Sequence, residues 1–240
     1  MSGSDTGSES TSEAARIREA YSGRLARMTE AGAYSPANPA YLFAIQGRQR
    51  AILSGLRQEG LFPLGDKDIL EVGCGSGGVL QELLGYGADP RRLFGVDLLP
   101  ERLAQARARL PHLPVSCASG TDLPYPTNSF DLLLQFTVFS SILDRGICYT
   151  VASEMLRVLR PGGAILWYDF WINPINKQTR GIKPAEIKDY FRGCRFTFKR
   201  ITLAPPLARR LVPLTWIGGL FLEKLKFLNT HYLAIIRPNE

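Results

Sequence analysis

One stretch constrains this chain more than any other: Ile69-Leu70-Glu71-Val72-Gly73-Cys74-Gly75-Ser76-Gly77-Gly78. A short apolar run breaks into closely spaced glycines, and a helical pattern begins at Val79. That is a buried strand, a tight turn and a helix. Glycines belong in such a turn because a side chain would keep a ligand from approaching the backbone. Gly73, Gly75 and Gly78 also satisfy the G-x-G-x-x-G spacing of dinucleotide folds. The turn therefore promises a ligand at the strand's carboxyl end without choosing which.

From Asp68 onward, short apolar runs alternate with helical patterns, which predicts βαβ units and a doubly wound parallel sheet. Strands are expected at 68–72, 92–97, 114–118, 130–135 and 164–169, then 195–203 and 232–236. Helices are expected at 79–84, 100–110, 149–159 and 184–191. Arg160-Pro161-Gly162-Gly163 reads as a helix stop. Upstream, Ser, Gly, Thr and Glu dominate residues 1–14, as in a disordered tail. Helical patterns at 15–28 and 40–58 make residues 15–62 an N-terminal helical cap, which leaves 63–240 as the ligand-binding domain.

Three features bear on the ligand. Glu71 lies two residues before the first glycine, where a carboxylate would repel a pyrophosphate and attract a cation. Asp97 closes the next strand, suitably placed for ribose hydroxyls in either cofactor class. Asp122, in Gly120-Thr121-Asp122-Leu123-Pro124, can accept a hydrogen bond from an adenine amine.

The set E-V-G-C-G-S-G-G, Val96-Asp97, the acid at Asp122, Ser129-Phe130-Asp131 and L-R-P-G-G resembles the motif series of class I S-adenosylmethionine (SAM)-dependent methyltransferases. The resemblance spans about Lys67 to Asp169. It implies a Rossmann-like seven-stranded sheet with an antiparallel last strand, and SAM as cofactor with S-adenosylhomocysteine as product. It also implies ribose binding by Asp97, adenine contact by Asp122, and a methionine-end pocket from Glu71, Gly73, Gly75 and Gln135, with Cys74, Gly77, Leu98, Thr121 and Leu123 as further cofactor-binding residues. Asp131 reads instead as a strand-start residue. More loosely, Tyr34–Arg50 and the 229–237 tail resemble bacterial natural-product or surface-glycan methyltransferases.

In-line methyl transfer draws much of its acceleration from alignment in a water-poor pocket. A base is needed only when the acceptor must lose a proton early. The segment Gln135-Phe136-Thr137-Val138-Phe139-Ser140-Ser141 has no histidine and no N-P-P-Y type tetrapeptide, which argues against a base or amide nitrogen acceptor. The base candidates are Asp169, with capping as its alternative role, and His231 at the start of the last strand. His112, in a Pro-flanked loop, is expected to be exposed.

The formal charge of +7 admits nucleic acid, an anionic surface or an acidic small molecule. The cations are scattered, so a nucleic-acid partner is disfavoured. Cys74, Cys117, Cys148 and Cys194 are far apart, which predicts buried thiols and no metal site. The polar, acidic opening lacks a leader pattern and no run reaches about 18 apolar residues, so a cytoplasmic protein is expected.

The connection 204–228 is long and apolar, with Arg209, Arg210, Lys224 and Lys226 at its edges. It reads either as a helical lid capping the pocket or as a surface touching a membrane or lipid-linked substrate. Tyr34, Tyr41, Trp171 and Trp216 are candidate acceptor contacts. The leading function is O-methylation of a secondary metabolite, sugar or lipid-linked glycan. Its competitors are an RNA or protein methyltransferase, a nicotinamide oxidoreductase and a non-catalytic SAM-binding protein.

Overall fold

A computed structural model describes residue 13 and residues 15–20, 35–173 and 178–239. Most of the expected tail, residues 21–28 of the expected first helix, and Tyr34 lie outside these residues.

Among the described residues seven strands form one sheet in the order β3-β2-β1-β4-β5-β7-β6. These are β1 (Ile69–Val72), β2 (Leu93–Asp97), β3 (Val115–Cys117), β4 (Phe130–Phe136), β5 (Leu159–Phe170), β6 (Cys194–Leu203) and β7 (Asn229–Pro238). β1 to β5 run parallel, and β7 is antiparallel to both β5 and β6. The order reverses between β1 and β4, which open a crevice at their carboxyl ends.

Alternating side chains give the sheet two apolar faces. One carries Ile69, Leu132, Leu134, Leu166, Leu233 and Ile235 against α1 (Pro39–Gln58), α2 (Gly78–Gly85) and α3 (Pro100–Arg109). The other carries Leu70, Leu133, Ile165, Trp167 and Ile236 against α4 (Arg145–Val158) and α5 (Pro184–Tyr190). Helix starts follow local chemistry. Asn38 accepts from Ala40 N and Tyr41 N, with Pro39 at the first helical position. Asp144 accepts from Ile147 N, which starts α4 four residues before the expected Tyr149.

The amino ends of three strands are tied by charge. Asp131 accepts from Asp68 N at 2.8 Å, and Arg160 reaches both Asp131 and Asp68 at 2.8 Å. Asp131 is thus a strand-start residue, as expected. The Leu159–Gly163 stretch does end a helix, but it already pairs as strand. Phe130 lies opposite Leu159 and Leu132 opposite Ala164, so the extra residues of β5 bulge around Gly162 at φ +75°.

β7 begins three residues earlier than expected because Asn229 lies opposite Leu203 and His231 opposite both Phe170 and Ile201. The 204–228 connection forms α6 (Pro205–Leu211), α7 (Trp216–Lys224) and a 3-10 turn, Lys226–Leu228. It seats on α1, where Phe43 and Ala40 meet Ala208 and Val212, with Trp216 and Leu220 beside them. Two thiols, Cys74 and Cys148, are buried as expected, whereas Cys117 is exposed. Among the described residues no helix is long and apolar enough to cross a membrane.

Candidate functional site

β1 ends at Val72, and the turn beyond it is pinned to β2. Gly73 N and Cys74 N both donate to Val96 O, at 2.8 and 2.9 Å. Gly73 and Gly75 have φ of +73° and +55°, and a Cβ on Gly73 would collide with Val138 Cγ2. Only glycine allows that conformation and that approach.

One carboxylate joins this turn to the next. Asp97 Oδ2 accepts from Gly75 N at 2.7 Å, and Oδ1 accepts from Leu99 N at 2.9 Å. Asp97 is 8% exposed, so charge-assisted bonds of this kind hold both loops. A cavity opens between them. Its walls are Gly73 and Val96–Leu99, Arg102 of α3, Ala118–Thr121 beyond β3, and Phe136–Val138 with Ser141 and Ile142 beyond β4. Ile147 and Val151 close it from α4, and Glu13 and Ile17 close it from the chain's start.

Of the cofactor candidates, Gly73, Asp97, Leu98 and Thr121 line this cavity. Glu71, Cys74, Gly75 and Gly77 belong to the strand end and turn without lining it. Gln135 is fully buried; its Oε1 accepts from Val138 N at 3.1 Å, while its Nε2 has no partner. Leu123 is buried and its N donates to Glu154, whereas Asp122 is exposed and outside the lining.

Glu71 is the electrostatic anomaly of the site. It is 2% exposed and its Oε2 has no hydrogen-bond partner. Burial pushes its carboxyl up to about 8, against the pull of Arg48, and Asp97 and Glu82 push the same way. Arg48 is itself ion-paired with Glu82, and its guanidinium lies 5.5 Å from the Phe136 ring centre and 5.7 Å from that of Tyr168.

Neither base candidate lines the cavity. Asp169 is 1% exposed and its two oxygens accept from Ser140 N at 3.0 Å and Phe170 N at 2.8 Å. Burial raises it to about 6. His231 lies inside β7 rather than at its start, stacked on Tyr168 at 4.7 Å, with Nδ1 3.0 Å from Thr230 Oγ1. Burial lowers it to about 3, so its imidazole is neutral near pH 7.

The acceptor candidates are also spread out. Trp171 Nε1 donates to Asn229 O at 2.6 Å, and Arg200 stacks 4.3 Å from the centre of its ring. Trp216 meets Phe43 edge-on at 5.2 Å. Tyr41 lies in the first turn of α1. None of these three lines the cavity, and no residue of 204–228 does. His112 is exposed, as expected.

Several lining residues went unread in the sequence. Arg102 follows Asp97 by little more than one helical turn, a signal available in the pattern. Glu13 falls in the stretch read as a tail, yet it is helical, pairs with Arg16 at 2.7 Å and accepts from Leu143 N at 2.7 Å. Its spacing of three from Arg16 was the available clue.

Residues 70–167 match the family described as "Methyltransferase domain". Over this stretch the chain is similar to SAM-dependent methyltransferases. A Mycolicibacterium smegmatis protein described as "Probable S-adenosylmethionine-dependent methyltransferase" is 36% identical over 42% of this chain and 37% of its own length. A Mycobacterium leprae protein named phthiotriol/phenolphthiotriol dimycocerosates methyltransferase is 34% identical over 48% of this chain and 41% of its own. The chain thus spans about two-fifths of the length of these curated relatives. The solved structure of the [4+2]-cyclase SpnF superposes with a TM-score of 0.59 at 20% identity, covering 81% of this chain and 83% of that one. At that identity the likeness concerns the methyltransferase fold alone.

Proposed function

We propose that the chain transfers the methyl group of SAM to a hydroxyl of an apolar small-molecule acceptor. The carrying observation is the double turn bridged by Asp97, which opens on a cavity at the carboxyl ends of β1 and β4. SAM supplies an electrophilic methyl on a sulfonium.

The residues present fit that donor. Asp97 spends one lone pair per oxygen on backbone N–H groups and has others for ribose hydroxyls. Gly73 presents bare backbone. Leu98, Ile142 and Ile147 give a purine an apolar wall. Glu71 Oε2 and Gln135 Nε2, both buried without partners, are an acceptor and a donor suited to the ammonium and carboxylate of a methionine end. Asp122, being exposed, is the weaker choice for adenine, and Thr121 of the lining is the stronger.

Asp169 and His231 act through shape in this reading. Asp169 fixes Ser140, and with it the Thr137–Ser141 segment whose ends line the cavity. His231 fills the interior with a neutral ring. Catalysis then rests on alignment and water exclusion, with the acceptor's proton leaving late. An apolar hydroxylated acceptor is favoured by the Phe136–Val138 wall and by the name of the Mycobacterium leprae relative.

The test is calorimetric titration of wild type and Asp97→Ala with S-adenosylhomocysteine and with NADH, followed by transfer of labelled methyl from SAM to an organic extract. Micromolar binding of the first ligand, none of NADH, and label entering the organic phase would support the proposal. Binding without transfer to any hydroxylated acceptor would leave a SAM-binding protein, and binding of NADH alone would overturn both. The activity measurement is indispensable, because the SpnF structure carries a cyclase on this fold.

A further inference from the structure

The 204–228 insertion buries one side on α1 and leaves the other open. Leu214, Ile217, Phe221 and Phe227 are 83%, 79%, 66% and 70% exposed. Ile217 and Phe221, four residues apart, share one outward side of α7, and Leu214 is exposed in the turn just before it. Trp216, Gly219 and Leu220 occupy the opposite side, against α1 and α6. Large apolar side chains this exposed in one segment mark a contact surface.

Charge says which kind. Arg209, Arg210, Lys224 and Lys226 are all exposed on the same segment. Its one acid, Glu223, is turned inward, where it lies against Gly47 and pairs with Arg50 at 3.7 Å. Across residues 190–239 there are nine Lys and Arg against that single acid. Among the described residues, no ion pair engages Arg209, Arg210 or Lys224. An apolar stripe flanked by unopposed cations matches an anionic bilayer, whose acyl boundary takes the apolar side chains while its headgroups meet the cations.

We propose that this insertion is a peripheral membrane-docking surface for anionic lipid. It lies on the carboxyl-end side of the sheet, because the insertion joins the end of β6 to the start of antiparallel β7. Docking would therefore bring the cofactor crevice's side of the molecule toward the bilayer. The surface stands on its own observations and does not require the acceptor to be a lipid.

The full chain is mixed with vesicles of phosphatidylcholine alone and of phosphatidylcholine with phosphatidylglycerol, then sedimented. Binding is expected only to the anionic vesicles and should weaken with added salt. Each cation removed in Arg209→Gln, Arg210→Gln and Lys224→Gln should lower affinity about fivefold. Ile217→Ser with Phe221→Ser should remove binding while leaving S-adenosylhomocysteine titration unchanged. That unchanged titration separates failure here from failure of the methyl-transfer reading. The proposal is overturned if folded wild type ignores both vesicles, or if either variant set binds like wild type. It is equally overturned if the chain is a dimer that Ile217→Ser with Phe221→Ser dissolves, since the stripe would then be a contact between copies. RNA binding that survives the apolar substitutions, without vesicle binding, would also sink it.

Discussion

Asp97 holds two loops through two backbone donors, one on each carboxylate oxygen. Asp97→Ala removes a charged acceptor from both and from any ribose. A charge-assisted hydrogen bond contributes about 1.5–3 kcal/mol, so affinity for S-adenosylhomocysteine should fall roughly 10- to 100-fold by calorimetry. Asp169→Asn tests the opposite kind of role. One of its two N–H partners would face an amide donor, which costs about 1–3 kcal/mol in denaturant unfolding. A loss of turnover at unchanged stability would instead make Asp169 a reacting group. Asp97 was readable because a carboxylate ending a buried strand has few structural excuses. Asp169 carries the same signal, but its partners are backbone N–H groups at Ser140 and Phe170 that sequence spacing does not reveal.

At the scale of elements, the helix α1 and the insertion depend on each other. Phe43 is 1% exposed, meets Trp216 edge-on and touches the site where Gly219 passes closest. Phe43→Ala should cost about 3–5 kcal/mol of local packing. Hydrogen exchange would show it as faster exchange in 205–228, with the β1 and β4 amides still protected. The strands β1 to β4 were legible within one or two residues, since each is a continuous apolar run, whereas β5 starts at Leu159, five residues before its expected start. Less was legible where pairing extended an element beyond its apolar run. β7 reaches back to Asn229 because two neighbours pair with it, and that placed His231 in the interior rather than at a rim. The insertion's helices were legible as an apolar segment, but its seat on α1 was not, because that contact joins residues about 170 positions apart.

For the whole molecule, two buried titratable groups on the α1 face of the sheet set opposite pH limits. Glu71 has a folded value of about 8 against 4.5 ordinarily, so its contribution is complete below about 4.5 and is lost as pH rises through 8. His231 has a folded value of about 3 against 6.5, so its contribution is complete above about 6.5 and is lost as pH falls through 3. Thermal midpoints should therefore decline on both sides of a maximum. Glu71→Gln should gain on wild type progressively from pH 5 to pH 9, and a flat difference would show that Glu71 is ionised throughout.

The position of β7 has a consequence in time. It follows β6 in the chain, yet it lies between β5 and β6, and among the described residues β6 pairs with no other strand. During synthesis β1 to β5 can assemble in order as each emerges, because each is laid beside a strand already made. β6 must wait as an unpaired ribbon until β7 has left the ribosome and slid in beside it. The half of the sheet holding the cofactor crevice can therefore form while the half carrying the insertion is still incomplete. A nascent chain halted before Asn229 is expected to expose Phe196 and Phe198, a hold-up that chaperones could recognise.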